Sequence, residues 1–265
     1  MPWRAALHAL LLGVVIASAF SGNAMPYPQK TRSRESKTTQ PAKPALLPLK
    51  IGEKLDYRVS WTSFSSAASV ELKVAERRVL YGWDTWHLVA VAHTLSPVRS
   101  LFVVDDQFDS YADSATLESH QYEMHTRELG RQQDLIMRLV AQGLPPRGPA
   151  PAIIVLPGTR DPVGALYSLR MVDWQRTQEF RAPVYDGKQL YEIRAVLEAA
   201  HEQVSVIAGT YDAVRIGIHL YEHAREVTGT HFELWMTLDT ARTPVKIEAE
   251  VPFGALDAEL NSASQ

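Results

Sequence analysis

From Lys50 onward, apolar and polar residues alternate with a period of two, as in strands that bury one face and expose the other. Leu55, Tyr57, Val59 and Trp61 are apolar, and Asp56, Arg58 and Ser60 between them are polar. After a Ser/Thr-rich turn at 62–66, Ala68, Val70, Leu72 and Val74 repeat the pattern. Further strands are expected at 86–93, 100–104, 117–126, 131–139, 179–185, 189–198, 203–207, 211–221, 230–238, 245–251 and 255–260. Turn signals such as Tyr81-Gly82-Trp83-Asp84, Leu129-Gly130 and Asp186-Gly187 punctuate the series. Roughly ten or more short strands in succession predict an antiparallel, strongly curved sheet or open barrel, because a flat sheet of that size would leave long exposed edges.

One segment has a different period. Asp161 followed by Pro162 is an N-cap with proline at the first helical position. Val163, Leu166, Tyr167, Arg170, Met171 and Trp174 then recur at three- and four-residue spacing. A single short helix is therefore expected at about 161–175, plugging the concave side or one end of the sheet. The Pro/Gly-rich stretch 142–158 ahead of it joins two halves, and Ile153-Ile154-Val155-Leu156 within it reads as a short edge strand.

The N-terminus changes the picture of where this sheet works. Arg4 and the apolar run 5–19 have the form of a signal peptide, with cleavage expected after Ala19 or Ala24. Residues 25–48 hold Pro26, Pro28, Pro41, Pro44 and Pro48 and are basic, the composition of a disordered linker. The remaining 49–265 is expected to be one β-rich domain, periplasmic or secreted, with no further transmembrane segment. There is no cysteine, so disulfides, thiolate metal sites and a Cys nucleophile are excluded. Residues 1–48 hold six of the 27 basic and one of the 30 acidic residues, leaving 21 against 29, or −8. That balance argues against a nucleic-acid partner.

Candidate chemistry is sparse. His219-Leu220-Tyr221-Glu222-His223 spells H-x-x-E-H, but the preceding Val214, Ile216, Ile218 and Leu220 alternate as a strand. Strand positions four apart lie about 13 Å apart and cannot share one metal ion. Asp105, Asp106, Asp109 and Asp113 lack the glycine and spacing of a calcium loop and read as a solvated face or a charge-guarded edge. No G-x-S-x-G or phosphate loop occurs. His87, His93, His120, His125, His201 and His231 are scattered, and no carboxylate pair stands out. No catalytic residue, metal site or cofactor is expected. Arg170, Trp174 and Trp235 are the candidate ligand-binding residues, with Trp235 on the Glu233/Thr237 face opposite Phe232, Leu234 and Met236.

Several blocks together resemble an exported Gram-negative bacterial family catalogued only as a domain of unknown function. They are Gly52-Glu53-x-Leu55-x-Tyr57-x-Val59-x-Trp61, Asp109-Ser110-Tyr111-x-Asp113, 161–170 (DPVGALYSLR), Tyr185-Asp186-Gly187-Lys188, Ala208-Gly209-Thr210-Tyr211 and 238–247 (LDxxRTPVKI). Where such proteins usually carry a small-Gly pair after the first strand, this chain has Ala67-Ala68. The resemblance spans about 49–260 and implies an antiparallel, mostly β envelope protein with no established active site. Structural roles are expected for Asp161, Arg170, Asp239 and Arg242. The reading that results is a non-enzymatic exported module binding an apolar or amphipathic envelope component or a partner protein. An envelope polysaccharide hydrolase using an Asp/Glu pair, and an assembly factor that captures a strand at a free sheet edge, are the alternatives.

Overall fold

A computed structural model describes residues 48–128, 130–251 and 254–264. The expected signal peptide and all but the last residue of the expected linker lie outside them. The first half folds into β1 (Lys54–Trp61), β2 (Phe64–Leu80), β3 (Trp83–Thr94), β4 (Asp105–Asp113), β5 (Ser119–Glu128), β6 (Arg131–Ala141) and β7 (Ile153–Val155). The second half forms β8 (Glu179–Tyr185), β9 (Leu190–Val206), β10 (Gly209–Glu222), β11 (Arg225–Glu226), β12 (His231–Thr237), β13 (Pro244–Val251) and β14 (Gly254–Ser264). Two helices, α1 (Val98–Leu101) and α2 (Pro162–Met171), lie between strands.

The strands make one sheet in the order β7-β6-β5-β4-β3-β2-β1-β14-β13-β12-β10-β9-β8, with β11 beside β10. Apart from β11, the parallel β6–β7 pair, and β7 and β8, which do not pair with each other, neighbours in sequence pair antiparallel, and the β1–β14 ladder joins the two halves. The result is a nearly closed, barrel-shaped sheet with one unsealed seam between β7 and β8. Thr159 and Arg160 cross that seam at one level. The Ser119 amide donates to the Thr159 carbonyl (3.0 Å), and Arg160 exchanges backbone hydrogen bonds with Pro183 and Tyr185 on β8 (3.0 and 2.8 Å). Curling the sheet this way removes most of the free edge that so many strands would otherwise expose.

The alternation dictates the core. Leu55, Tyr57 and Val59 of β1, Val70, Leu72 and Val74 of β2, Phe232, Leu234 and Met236 of β12, and Leu256, Ala258 and Leu260 of β14 all point inward and are buried. Helix α2 sits among them, with every residue from Pro162 to Arg170 buried. A helix buried on all sides carries small or apolar residues all round, and Gly164, Ala165 and Ser168 supply the small ones. Its N-cap is Asp161, as expected, whose side chain accepts from the Gly164 amide (2.8 Å).

Several details depart from the pattern. The helix stops at Met171, because Val172 is already extended, and Trp174 falls in the turn beyond. Residues 100–104 were expected as a strand, yet Val98–Leu101 is helical, since the chain must reverse between antiparallel β3 and β4. Strand β4 is not a sheet edge, since it pairs with β3 and with β5; Asp105 and Asp113 stay half-exposed on its outer face, while Asp106 and Asp109 are buried. The short strand at 153–155 does form, but it pairs with β6 in parallel.

Candidate functional site

The three candidate residues separate in space. Arg170, only 1% exposed, donates to both Glu53 carboxylate oxygens (2.5 and 2.9 Å) and to the carbonyls of Arg242 (3.1 Å), Ala241 (2.9 Å) and Pro48 (3.4 Å). Arg242 returns bonds to the carbonyls of Arg170 and Met171 (both 3.2 Å). The Asp239 carboxylate organises the β12–β13 turn, accepting from Thr237 Oγ1 and the Ala241 and Arg242 amides. Trp174 is buried, its indole N–H on the Leu169 carbonyl (3.0 Å). With Val214, Met236, Leu238 and Arg242 it lines an open cleft of about 130 Å³ beside this cluster. Trp235 faces outward from β12 but is covered; the Lys246 ammonium lies 5.3 Å from its ring centre.

The blocks that carry the resemblance meet around α2. At one end Glu53 (first block), Arg170 (helix block) and Arg242 (last block) interlock, and the Tyr57 hydroxyl donates to the Pro244 carbonyl (2.5 Å). At the other, Ser110 and Ser119 donate to Asp161 Oδ2 (both 2.5 Å), and the Asp161 amide donates to Ser119 (2.6 Å). These residues lock the helix inside the barrel. Burial pushes the Asp161 carboxyl up, against the bonds from Gly164, Ser110 and Ser119.

A second constellation, outside the barrel, escaped the sequence reading. The β2–β3 hairpin turns through Tyr81 and Gly82 with positive φ at both (52° and 81°), the pairing a type I′ turn requires. The turn aims Tyr81 and Trp83 into a recess lined also by His120, Arg138, Arg147 and Glu118. Trp83 stacks on His120 (4.7 Å, 16°), the Arg147 guanidinium lies 4.5 Å from the Trp83 ring centre, and Arg138 lies 5.8 Å from Tyr81. The Tyr81 hydroxyl donates to Gln121 (2.5 Å) and Arg138 to the Arg147 carbonyl (2.5 Å). Gly148 of the overlying 142–151 connection lies so close to the Tyr81 ring that any Cβ would collide with it.

Two side-chain nitrogens of residues lining the recess are buried without a hydrogen bond among the described residues: Arg138 Nε and His120 Nε2. Arg138 is 7% exposed, and His120 Nε2 stands 3.7 Å from Asp113. Burial holds the His120 imidazole below its ordinary pKa, so it is neutral at pH 7. The recess, open on one side, leaves a volume of about 30 Å³, room for a water or one small polar group. Leu144 and Leu156 stand exposed beside it. Tryptophan and arginine spacing gave no signal here, because the recess is assembled from three hairpins and a loop.

The H-x-x-E-H histidines do not form a helical face. His219 lies in β10 and contacts Glu226 (2.8 Å), and His223 begins the turn that follows with φ 49°. Within the acidic run, Arg99 and His93 hold Asp105, with the guanidinium keeping its carboxyl down at about 2. Asp113 accepts from the Ala115 and Thr116 amides.

Fold and geometry together define a mostly β, barrel-like domain with an internal helix. The chain matches the family described as a protein of unknown function (DUF3108) over residues 56–261, and it belongs to that family. Among curated proteins, none matches it. Of solved structures, it resembles the β-barrel-like protein of the DUF1849 domain of unknown function from Brucella abortus, with TM-score 0.54 and 9% identity over 81% of this chain and 97% of the other. That likeness supports the fold. A provisionally assigned lipoprotein from Parabacteroides distasonis scores 0.40 at 11% identity, covering 82% and 97%, and carries no argument.

Proposed function

We propose that this chain is an exported, non-enzymatic binding module of the bacterial envelope, which holds the anionic group of an amphipathic envelope component in the Tyr81–Trp83–Arg138 recess. The observation that carries the reading is the buried Arg138 Nε–H, which makes no hydrogen bond among the described residues although its side chain lines the recess. A buried donor without an acceptor costs about 1–3 kcal/mol, and an anionic oxygen would satisfy it. Arg147 adds charge, and Leu144 and Leu156 offer an apolar landing beside it. The barrel interior suits this role less, since α2 and its neighbours occupy it. Glu118 is the one carboxylate lining the recess, so two-carboxylate hydrolysis has no seat there. Export rests on the N-terminal signal pattern.

Native mass spectrometry of the protein purified from its own envelope tests the reading. Wild-type chain is expected to carry a bound anionic amphiphile, with occupancy reduced at least tenfold in the Arg138→Ala/Arg147→Ala variant. A wild type that is uniformly ligand-free, or equal occupancy in the variant, refutes it. The strand-capture reading is favoured by one feature. β7 covers only Leu139–Ala141 of β6, so that the outer edge of the exposed Arg131–Ile136 segment has no strand neighbour among the described residues.

A further inference from the structure

The outer face of β3–β6 gathers residues that the sequence keeps far apart. Asp109 on β4 stands directly opposite Glu123 on β5, and His125 lies two pairs further along on the same face, opposite Gln107. One ligand atom from each of Asp109, Glu123 and His125 lies within 4.8 Å of the others. From this geometry we propose that Asp109, Glu123 and His125 form a site for one divalent transition-metal ion of the zinc type, with its remaining coordination positions open to solvent.

Three observations carry the proposal. First, two carboxylates placed directly opposite on neighbouring strands repel, and the burial of Asp109, 4% exposed, keeps its charge from full solvation. A cation between them converts the repulsion into coordination. Second, each ligand is already oriented by a second residue. Asp134 holds His125 Nδ1 at 2.8 Å, which leaves Nε2 to face the carboxylates. The Gln121 amide holds Glu123 Oε1 (2.5 Å), while Gln107 and His87 hold the two Asp109 oxygens (both 2.7 Å). A carboxylate behind a metal-bound histidine, and hydrogen bonds behind the ligating carboxylates, are the supports such sites depend on. Third, the ligands sit on the rigid middle of the sheet rather than on a loop.

Ligands about 2.1 Å from one zinc ion stand about 3.4 Å apart, so atoms already within 4.8 Å of one another need close by at most about 1.4 Å, within reach of side-chain rotation. At present His125 Nε2 stands 3.2 Å from Glu123 Oε2, and the ion would take the place of that contact. One imidazole nitrogen with two carboxylates suits zinc and its neighbours, whereas calcium and magnesium favour sites made of oxygen alone. Gln121 links the site to the recess, since it accepts from the Tyr81 hydroxyl and donates to Glu123.

The test is zinc titration of the tag-free mature chain by calorimetry, with calcium as the comparison ion. One equivalent of Zn²⁺ is expected to bind, with calcium at least tenfold weaker. Glu123→Gln and His125→Gln should each weaken zinc at least tenfold, and His223→Gln, in the exposed turn after β10, should leave it unchanged. Asp134→Asn provides a variant at an exposed residue that threatens no packing, and it should weaken zinc about tenfold through His125. Cobalt substitution gives a second readout: a visible absorption band present in wild type and lost in His125→Gln. No zinc uptake by wild type, which would mean that a protonated histidine already balances the carboxylates, overturns the proposal. So does zinc affinity unchanged in Asp134→Asn and His125→Gln.

Discussion

At the residue scale, period-two alternation placed the side chains but not their surroundings. Asp106 shows the difference. On β4 it alternates with Asp105 and so faces the interior, where it is 1% exposed and accepts from the Arg127 amide (2.8 Å). Burial, reinforced by Glu128 and Asp105, pushes its carboxyl up to about 7. The folded state therefore binds more protons than the unfolded state between the ordinary carboxylate range and about pH 7. Stability from this group is complete below that window and lost as pH rises through it, by about 4 kcal/mol at most. Asp106→Asn should flatten this dependence: melting temperatures recorded from pH 4 to 8 should rise relative to wild type by several degrees at pH 8 and differ little at pH 4. Nothing in the local sequence distinguishes Asp106 from Asp105, which Arg99 and His93 hold in its charged form near the surface.

At the scale of elements, helix α2 was the most legible feature, because its cap, its proline and its spacing are local signals. What surrounds it was not. The stripe of Val163, Leu166, Tyr167 and Met171 predicted one buried face, whereas the barrel buries the opposite face too. Arg170 takes its partner from Glu53, 117 positions earlier. Removing one partner of a buried ion pair leaves an uncompensated charge and costs about 3–5 kcal/mol. Glu53→Gln should accordingly lower the urea midpoint by that equivalent, with the slope of the transition unchanged. Asp239 and Arg242 form a hairpin turn, a structural role of the kind expected of them, because Asx-type turns are closed by residues two or three apart.

At the scale of the whole molecule, the strand series predicted a curved sheet, and the structure closes it all but for the β7–β8 seam. Stability should then be graded around the barrel. Amide exchange followed by mass spectrometry is expected to be slowest in β1, β3, β4 and β10, which have neighbours on both sides, and fastest in β7 and the Arg131–Ile136 part of β6. Equal protection across β4 and the outer part of β6 would mean that something covers the free edge. The sequence placed the acidic run of β4 on a solvated face or at a charge-guarded edge; the structure puts it between β3 and β5, because strand order follows hairpin succession and not charge.

The amino-acid sequence by itself determined what depends on neighbours a few positions apart: the two faces of each strand, the capped helix, the hairpin turns, and the absence of thiol chemistry. Only the tertiary structure decided what depends on which strands lie side by side. It brought Glu53 to Arg170, Ser110 and Ser119 to Asp161, Tyr81 and Trp83 to Arg138, and Asp109 to Glu123 and His125. Periodicity fixes which way a side chain points, but register and closure, set by the packing of the whole core, fix what it meets.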